Sequence, residues 1–468
     1  MGPHDLAVLC IDESSVWNHP MNLHRRAFLS QAGWIGTCAA LGATALKGSA
    51  ASTDYRALVV LFLNGGNDGN NLLIPTDAAF TDYQTSRQSL ALPRASLADL
   101  PGRAIGHTFG VHPSLAPLVP LYAAKRLAFV ANVGPLVEPA TASQVLNNAV
   151  RIPPFLLSHS DQQAIAQGWM LSEDNSGWAG RALERLDPSL KHPLSAVTMD
   201  TNRTLVLGRE SAVSFMQNGG TRYWGTADLA FPDRTNVQLL LNMARWQSGN
   251  AYETEFARTL NTSLDDSVRL TQAYLAVKAP TANFGNDYLG QQLAGLASVL
   301  PVFRAQGLRR QVFLVNWGGF DTHANQRGTG PNTQDSLLRV LSEVMAAFDQ
   351  TNRDNGLGDA VTTLVMSEFG RTLRPGSGGG SEHAWGSHWM VMGGGVAGGT
   401  VHGTFPSLTL GGPDDGDLGR NGRHVPTTSS DQVGASLMQW MGLGSPDIPV
   451  AFPHLVNFKT PTMALMQS

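Results

Sequence analysis

The feature that most constrains the fold is a set of short β-branched and aliphatic runs that do not alternate with polar residues. The runs are Ala57–Leu63, Leu127–Val133, Gln311–Asn316 and Val361–Met366. Such runs are typical of strands that are buried on both faces of a sheet. Glycine or a polar turn closes each run, so we expect central strands with chemistry at their ends.

A helical pattern lies between the last two of these runs. Its apolar residues recur at helical spacing on one face: Leu337, Leu341, Val344 and Phe348. A strand, a helix and a parallel strand form the repeating unit of an α/β protein. The sequence therefore predicts an α/β fold with a mostly parallel central sheet and helices on both faces.

Further helices are predicted around this sheet. Residues 236–307 contain few turn-forming residues before Ala279-Pro280, which indicates a helical insertion that covers the sheet. A final helix is predicted to start near Ser430, capped by Ser429 or Ser430. Its buried residues are expected to be Leu437, Trp440 and Met441. Without a repeat or a clear linker, residues 51–468 are expected to form a single domain.

Residues 1–50 have the pattern of an export leader. Arg25, Arg26, Phe28 and Leu29 precede a weakly apolar, Gly/Ala-rich stretch, and small residues follow it at positions 48–51. This pattern predicts a twin-arginine export signal that begins at Met21, with the mature protein in the periplasm or outside the cell. The alternatives are an ordinary buried helix or an uncleaved membrane anchor of about 20 residues.

Charge and cysteine content exclude several classes of protein. The net charge is −4 and Lys and Arg do not cluster, which argues against a nucleic-acid binder. Both cysteines, Cys10 and Cys38, lie in the predicted leader. The rest of the chain therefore has no thiolate for a metal site, and any metal must be bound by oxygen and nitrogen.

Candidate site residues follow the predicted strands, because ligands of open α/β sheets bind beyond the carboxyl ends of strands. Asn64 and Asp68 follow the first run in a turn rich in Asn and Gly, where they supply oxygen ligands or simply form the turn. Asp321 and His323 follow the third run. They can converge on one cation, or act as a helix cap and a packed histidine.

The fourth run leads to a second group of candidates. Glu368 and Arg371 follow it, as a metal ligand and an anion-binding group or as a structural ion pair. A glycine-rich loop then precedes His383 and His388, and two histidines in a loop that can bend are a metal-ligand composition. For His388, which begins an apolar run, the alternative is packing in the core.

Ser158 precedes an amphipathic segment and has Asp161 three residues later. The spacing resembles a capping box in which Asp replaces the usual Glu or Gln. The functional alternative for Ser158 is a hydroxyl nucleophile at a helix N-terminus, where backbone N–H groups can hold a phosphate or sulfate.

At these residues the chain resembles the family catalogued as domain of unknown function 1501, exported bacterial proteins of the alkaline phosphatase and sulfatase superfamily. The resemblance runs over essentially the whole mature chain. It is carried by the segments Phe62–Gly69, Phe109–Pro113, Ser158–Asp161, Gly319–His323, Ser367–Thr372 and His383–Gly386. It implies an alkaline-phosphatase-like fold with a two-metal site. In chain order, the ligand places fall on Asp68 or Asn64, Asp321 and His323, Glu368, and His383.

The chain departs from this pattern in three places. Glu382 and Ala384 flank His383 where the family usually has Asp and Gly, which weakens Glu382 as a ligand. Asn64 stands where catalytic members of the superfamily favour Asp, which lowers the charge available to a second metal. A nucleophile after the first strand is not evident, which leaves Ser158 as the candidate.

Together these observations predict an exported, metal-dependent hydrolase of phosphate or sulfate esters, or a transferase of the same type. The expected cofactor is zinc, calcium or manganese, with candidate ligands Asn64, Asp68, Asp321, His323, Glu368, His383 and His388. Ser158 would be the nucleophile, Arg371 would hold the anion, and the substrate would be a small anionic ester. The alternative is an inactive superfamily member that acts as a binding or assembly factor with an exported protein partner.

Overall fold

The computed structural model describes residues 54–168, 175–216, 235–246, 249–275 and 277–467. The predicted leader in residues 1–50, with its start at Met21, lies outside the described residues. Within those ranges, no helix is both long enough and apolar enough to cross a lipid bilayer.

The described residues form strands and helices that alternate along much of the chain. The strands are β1 (Arg56–Leu63), β2 (Leu73–Pro75), β3 (Ala98–Asp99), β4 (Phe109–Val111), β5 (Leu127–Gly134), β6 (Ala196–Thr198), β7 (Ser214–Phe215), β8 (Arg310–Trp317), β9 (Val361–Ser367), β10 (Arg371–Pro375), β11 (Ser381–His383), β12 (Ser387–Met392), β13 (Val401–Gly403) and β14 (Thr428–Ser429). The α-helices are α1 (Phe80–Arg87), α2 (Val119–Ala123), α3 (Ala142–Leu146), α4 (His159–Ala166), α5 (Trp178–Glu184), α6 (Thr235–Ala244), α7 (Ala251–Leu275), α8 (Tyr288–Ala305), α9 (Gln334–Asp354), α10 (Ser430–Trp440) and α11 (Ile448–Ala451).

The central sheet has nine strands and is mostly parallel. Its order is β13-β5-β12-β9-β1-β8-β6-β7, and β14 pairs with β5 outside this path. Strand β12 is antiparallel to both of its neighbours, whereas the other pairs in the sheet are parallel. The predicted α/β class with a mostly parallel sheet is confirmed.

The four apolar runs form β1, β5, β8 and β9, as predicted. Their residues are buried almost throughout, because helices cover both faces of the sheet. Along β1 the side chains alternate between two cores. Val59 and Leu61 pack in the core that includes Leu293 of α8 and Leu341 of α9, and Val60 packs in the core that includes Leu437 of α10.

The helix predicted between β8 and β9 is α9, and its predicted apolar stripe is buried. The helix predicted to start near Ser430 is α10, and Ser429 caps it through a capping box with Gln432. The short helix α11 follows it. Leu437 and Met441 are buried as expected. Trp440 is only half-buried, and the guanidinium of Arg56 lies over its ring, with Arg56 Cζ 5.5 Å from the ring centroid.

Three helices, α6, α7 and α8, occupy much of the region predicted to be helical. Helix α8 contributes fully buried side chains to the core, including Leu293 and Leu296. By contrast, large apolar side chains of α6 and α7 are exposed, among them Leu239 and Tyr252.

A small antiparallel sheet, β2-β4-β3, is tied to α9 by a hydrogen bond from a buried histidine. His112 follows β4 and is completely buried. Its Nδ1 accepts a hydrogen bond from the Ser114 amide, so its proton lies on Nε2, 2.6 Å from Asp335 Oδ1 in the first turn of α9. Burial opposes ionisation of Asp335, but His112, the Gly328 amide and Arg327 outweigh it and lower the pKa of Asp335 to about 2.

We expect Asp335→Asn to destabilise the protein by roughly 2 kcal/mol at pH 7. The folded-state pKa lies below the unfolded-state value, so this contribution is present above about pH 4 and is lost as the pH falls towards 2. Urea unfolding between pH 7 and pH 3 measures it. The matched control is Asp99→Asn, which breaks the exposed pair with Arg94 and should cost well under about 1 kcal/mol. An Asp335→Asn effect that does not decline with acid would contradict this account.

Candidate functional site

Three parallel strands end side by side at one edge of the central sheet. Leu63, at the end of β1, pairs in register with Trp317 of β8 and with Ser367 of β9. The loops that follow these strands therefore leave the sheet together. The chain segments after them carry Asp321 and Glu368, so the topology itself brings distant parts of the sequence into one site.

The Nε2 atoms of three histidines face a single carboxylate oxygen, Asp321 Oδ1. The distances from this oxygen are 3.1 Å to His323, 3.4 Å to His383 and 3.5 Å to His159. His323 Nε2 also lies 2.9 Å from His383 Nε2. The structure thus brings together three residues predicted as ligands, Asp321, His323 and His383. It adds His159, for which the sequence analysis gave no role.

The other ring nitrogen of each histidine has its own partner. The contacts are His159 Nδ1 to Glu368 Oε1 at 3.0 Å, His323 Nδ1 to Glu382 Oε2 at 2.8 Å and His383 Nδ1 to the Leu157 carbonyl at 2.7 Å. A carbonyl only accepts, so Nδ1 of His383 donates. These partners fix the ring orientations and direct the three Nε2 atoms towards Asp321.

Local charges shift the pKa values within this cluster in different directions. The hydrogen bond that His159 donates to Glu368 is the main cause that raises the pKa of His159. Burial is the main cause that lowers the pKa of His383. Burial opposes ionisation of Asp321, but the hydrogen bond and charge of Arg371 outweigh it and lower the pKa of Asp321. The carboxylate is therefore ionised at neutral pH, and His383 is neutral.

The spacing of these atoms suits a small divalent cation. Two ligands that each lie about 2.1 Å from a tetrahedral zinc ion are about 3.4 Å apart. The three contacts with Asp321 Oδ1 scatter around that value. Among the described residues, ligand atoms of His159, Asp321 and His383 all lie within 4.8 Å of one another. His323 joins them through its contacts with Asp321 and His383.

Glu368 was predicted to be a ligand, and the structure gives it a different place. Its side chain is fully buried, and Oε1 accepts hydrogen bonds from the Gly65 amide at 2.7 Å and from Gln163 at 3.2 Å. With His159 also on Oε1, this oxygen is fully engaged. Glu368 therefore orients the His159 ring through its Nδ1 atom, on the side opposite Nε2.

Arg371 was predicted to hold an anion, but its side chain is completely buried. The guanidinium donates to the carbonyls of Gly66 at 2.9 Å and Ser381 at 2.8 Å, and it also contacts the Gly65 carbonyl and Asp321. A side chain shielded in this way does not reach a ligand from solvent. Arg371 instead holds the surrounding loops.

The structure keeps Asp68 apart from the histidine cluster. Its carboxylate is buried in an ion pair with Arg87 and accepts hydrogen bonds from the Asn70 amide at 3.0 Å and from Gln326 at 2.6 Å. Asn64 makes the backbone contacts of a turn residue, which was the alternative interpretation for it. Its amide donates to the Trp317 carbonyl, and its carbonyl accepts from Phe320.

His388 belongs to the core. It is the second residue of β12, is stacked on Phe405 with ring centroids 5.0 Å apart, and accepts a hydrogen bond from the Asn132 backbone amide at 3.0 Å. Burial lowers the pKa of His388 to about 3. His388 is therefore packed in the core, which was the alternative interpretation for it.

Ser158 is the N-cap residue of α4, as the spacing predicted, but it does not cap through its side chain. Its hydroxyl donates to the carboxylate of Asp161 and lies 3.3 Å from Ser160 Oγ. His159, the next residue, enters the cluster described above. The only sequence signal for His159 was its place between Ser158 and Asp161 at a predicted helix start. The predictions used that signal for Ser158 and gave His159 no role.

Comparison with solved structures gives matches of low similarity. The structure of Ps i-CgsB in complex with k-i-k-neocarrahexaose shares 9% identity, with 87% of this chain and 77% of that chain covered and a TM-score of 0.33. The lipoteichoic acid synthase LtaP from Listeria monocytogenes shares 7% identity, with 86% and 77% covered and a TM-score of 0.33. The zinc complex of the C-terminal periplasmic domain of EcEptC from Escherichia coli shares 8% identity, with 73% and 74% covered and a TM-score of 0.31.

Sequence comparison is more decisive about the family. No curated protein matches the chain. A family profile described as "Protein of unknown function (DUF1501)" matches residues 55–416, which include every member of the histidine cluster. The chain therefore belongs to the DUF1501 family.

Proposed function

We propose that this protein is an exported hydrolase of phosphate or sulfate esters, or a transferase of the same type, that depends on one divalent metal ion. The observation that carries the proposal is the convergence of three Nε2 atoms on Asp321 Oδ1. Each histidine is also oriented through its Nδ1, as metal-binding histidines are. The export part of the proposal rests on the twin-arginine pattern at Arg25 and Arg26.

The donor set favours zinc or manganese over calcium. Calcium takes oxygen ligands, whereas imidazole nitrogen suits zinc and other transition metals. His159, His323, His383 and Asp321 would hold the ion. We propose a single ion, because Asp68, a candidate for a second site, is engaged by Arg87.

The charge around the cluster also fits a divalent ion. Three carboxylates, Asp321, Glu368 and Glu382, contact the histidines, and Arg371 contributes one positive charge. With neutral imidazoles, as metal ligands must be, this leaves two net negative charges for the ion to balance.

The protein groups then divide the chemistry between them. A bound divalent ion supplies positive charge that polarises the ester and stabilises the transition state. Ser158 Oγ attacks the phosphorus or sulfur atom and its proton passes to the Asp161 carboxylate that already accepts its hydrogen bond, while the bond to the leaving alcohol oxygen breaks. The leaving oxygen takes a proton from solvent. Water, or an acceptor alcohol in a transferase, then displaces Ser158 from the phosphoryl or sulfuryl group. Glu368 and Glu382 keep His159 and His323 in place.

Metal content tests the site directly. We expect protein recovered in its folded form to contain about one equivalent of zinc or manganese by mass spectrometry, and His383→Ala to lose it. The matched control is His402→Ala. This histidine bonds the Ala397 carbonyl from β13, three strands away from β9, so its replacement should leave the metal content unchanged. A folded wild-type protein that does not bind either metal would refute the proposal.

Glu368→Gln separates an orienting residue from a ligand. Because Glu368 acts through His159, we expect metal affinity to fall by about 10- to 100-fold, with full occupancy restored by excess metal. Competition titration with a chelator measures the change. The comparison variant is Glu382→Gln, at the exposed partner of His323, which should weaken binding less. Irreversible loss of the metal in Glu368→Gln would instead make Glu368 a ligand.

Substitution of Ser158 tests the reaction. We expect turnover of aryl phosphates or aryl sulfates that requires the metal, and Ser158→Ala to lower kcat by about 1,000-fold or more. Ser160→Ala is the matched control, because it removes the neighbouring hydroxyl, 3.3 Å away. Equal activity of Ser158→Ala and wild type would exclude Ser158 as nucleophile.

A second candidate function is an exported binding or assembly factor without catalysis, with another exported protein as its partner. The observation that favours it is the complete burial of Arg371, the side chain expected to hold the anion. In that case the wild-type protein would bind the metal but would turn over neither aryl phosphates nor aryl sulfates. The His383→Ala and Asp321→Asn double variant would still recover a stable partner from the host.

A further inference from the structure

The loop before α4 exposes apolar side chains next to the histidine cluster. We call residues 151–157 the apolar loop; they read Arg-Ile-Pro-Pro-Phe-Leu-Leu. Phe155 is 72% exposed and Ile152 is 42% exposed. Isolated exposed apolar residues are common on protein surfaces, so exposure alone implies little. This loop differs from an isolated apolar residue because it contacts a histidine of the cluster.

The apolar loop is held at both ends. Arg151 bonds Glu138 Oε1 through its amide at 3.0 Å and through Nε at 3.1 Å. At the other end, Leu156 packs against the small core formed by Leu136, Ala142, Trp385 and Val425. The Leu157 carbonyl accepts from His383 Nδ1 at 2.7 Å. The loop is therefore part of the structure that orients a cluster histidine.

The position of Phe155 follows from this anchor. It lies two residues before Leu157, and consecutive Cα atoms are about 3.8 Å apart, so its Cα lies within about 8 Å of Leu157 Cα. The Phe155 carbonyl also accepts from the Ser158 amide at 3.4 Å, which turns the chain sharply at this point. The Phe155 backbone thus lies next to the segment that contacts His383 and carries the proposed nucleophile.

The backbone of the apolar loop adds a second argument. Phe155 has φ 53° and Leu157 has φ 73°, a left-handed conformation that bulky side chains rarely adopt. Glycine or asparagine would be accommodated with less strain at Phe155. The Phe155 ring is exposed, so burial in the fold does not offset the backbone strain at this position. Backbone strain of this kind clusters at ligand-binding and active sites.

We propose that Phe155 and Ile152 bind the apolar group of an anionic ester whose phosphate or sulfate lies at the histidine cluster. The substrate class is then an ester that carries an alkyl chain or aryl group, in preference to a small hydrophilic one. This inference rests on the proposed function, since it assigns the uncharged part of the same substrate.

Binding of alkylphosphonates tests the inference without turnover, because their C–P bond is not an ester bond. The full chain with one equivalent of zinc is titrated with methylphosphonate and with hexylphosphonate in a calorimeter. We expect hexylphosphonate to bind at least about tenfold more tightly, since each buried methylene contributes to affinity. Phe155→Asn should abolish this preference and leave methylphosphonate binding unchanged. Asparagine tolerates the left-handed backbone, so this variant is expected to fold.

Phe256→Asn is the matched control, because it makes the same substitution at another exposed phenylalanine, on α7. It should retain the preference for hexylphosphonate. Equal affinity for both phosphonates in the wild type would overturn the inference but leave the proposed function intact. If neither methylphosphonate nor hexylphosphonate binds to the zinc-loaded protein, the inference is overturned. The proposed function is tested separately, by zinc binding and ester turnover.

A vesicle assay distinguishes two sources of such an ester. Cosedimentation with phosphatidylcholine vesicles that contain phosphatidic acid, lost in Phe155→Asn, would support the inference with a lipid-borne ester. Hexylphosphonate binding without cosedimentation would support it with a free ester.

Discussion

A buried guanidinium holds the loops of the candidate site together. Arg371 donates hydrogen bonds to the carbonyls of Gly65 and Gly66 after β1, of Phe320 after β8 and of Ser381 in β11. Its planar fork of donors can serve several acceptors in fixed directions, which a lysine ammonium cannot do. Two loops that are remote in sequence, and the nearby strand β11, are thereby fixed around one side chain.

The same guanidinium requires a negative partner, because an unpaired buried charge is strongly destabilising. That partner is Asp321. Asp321 Oδ1 is also the oxygen on which the histidines converge, so the group that balances Arg371 is the centre of the candidate metal site. Fold and site therefore depend on the same ion pair, which explains why a residue predicted to bind an anion is buried instead.

The sequence was sufficient to predict the main strands and three of the residues that converge in the candidate site. Buried runs such as Ala57–Leu63 predict central strands because helices cover both faces of a mostly parallel sheet, so its strands do not alternate apolar and polar residues. The strand-end rule then identified Asp321 and His323, and loop composition identified His383. Local patterns gave no information about long-range partners. Nothing near Asp68 shows that Arg87 neutralises it, and nothing near Glu368 shows that both its oxygens face the interior.

His159 was missed for the same reason. Its neighbours gave two explanations for the segment, a helix cap and a nucleophile, and both concerned Ser158. Only the tertiary contact with Glu368, 209 residues away, assigns the imidazole to the site. A histidine at a helix start is thus hard to recognise as part of a site when its orienting partner follows a strand that is distant in sequence.

Close packing at one glycine shows how tightly these contacts constrain the chain. Gly65 has φ 114°, and a Cβ atom there would lie 2.4 Å from the Asp321 amide nitrogen. Any side chain at this position would separate the loop after β1 from the loop after β8. The Gly65 amide could then no longer reach Glu368 Oε1, at 2.7 Å, while its carbonyl contacts Arg371. A single residue without a side chain thereby bridges the acid that orients His159 and the guanidinium that holds Asp321.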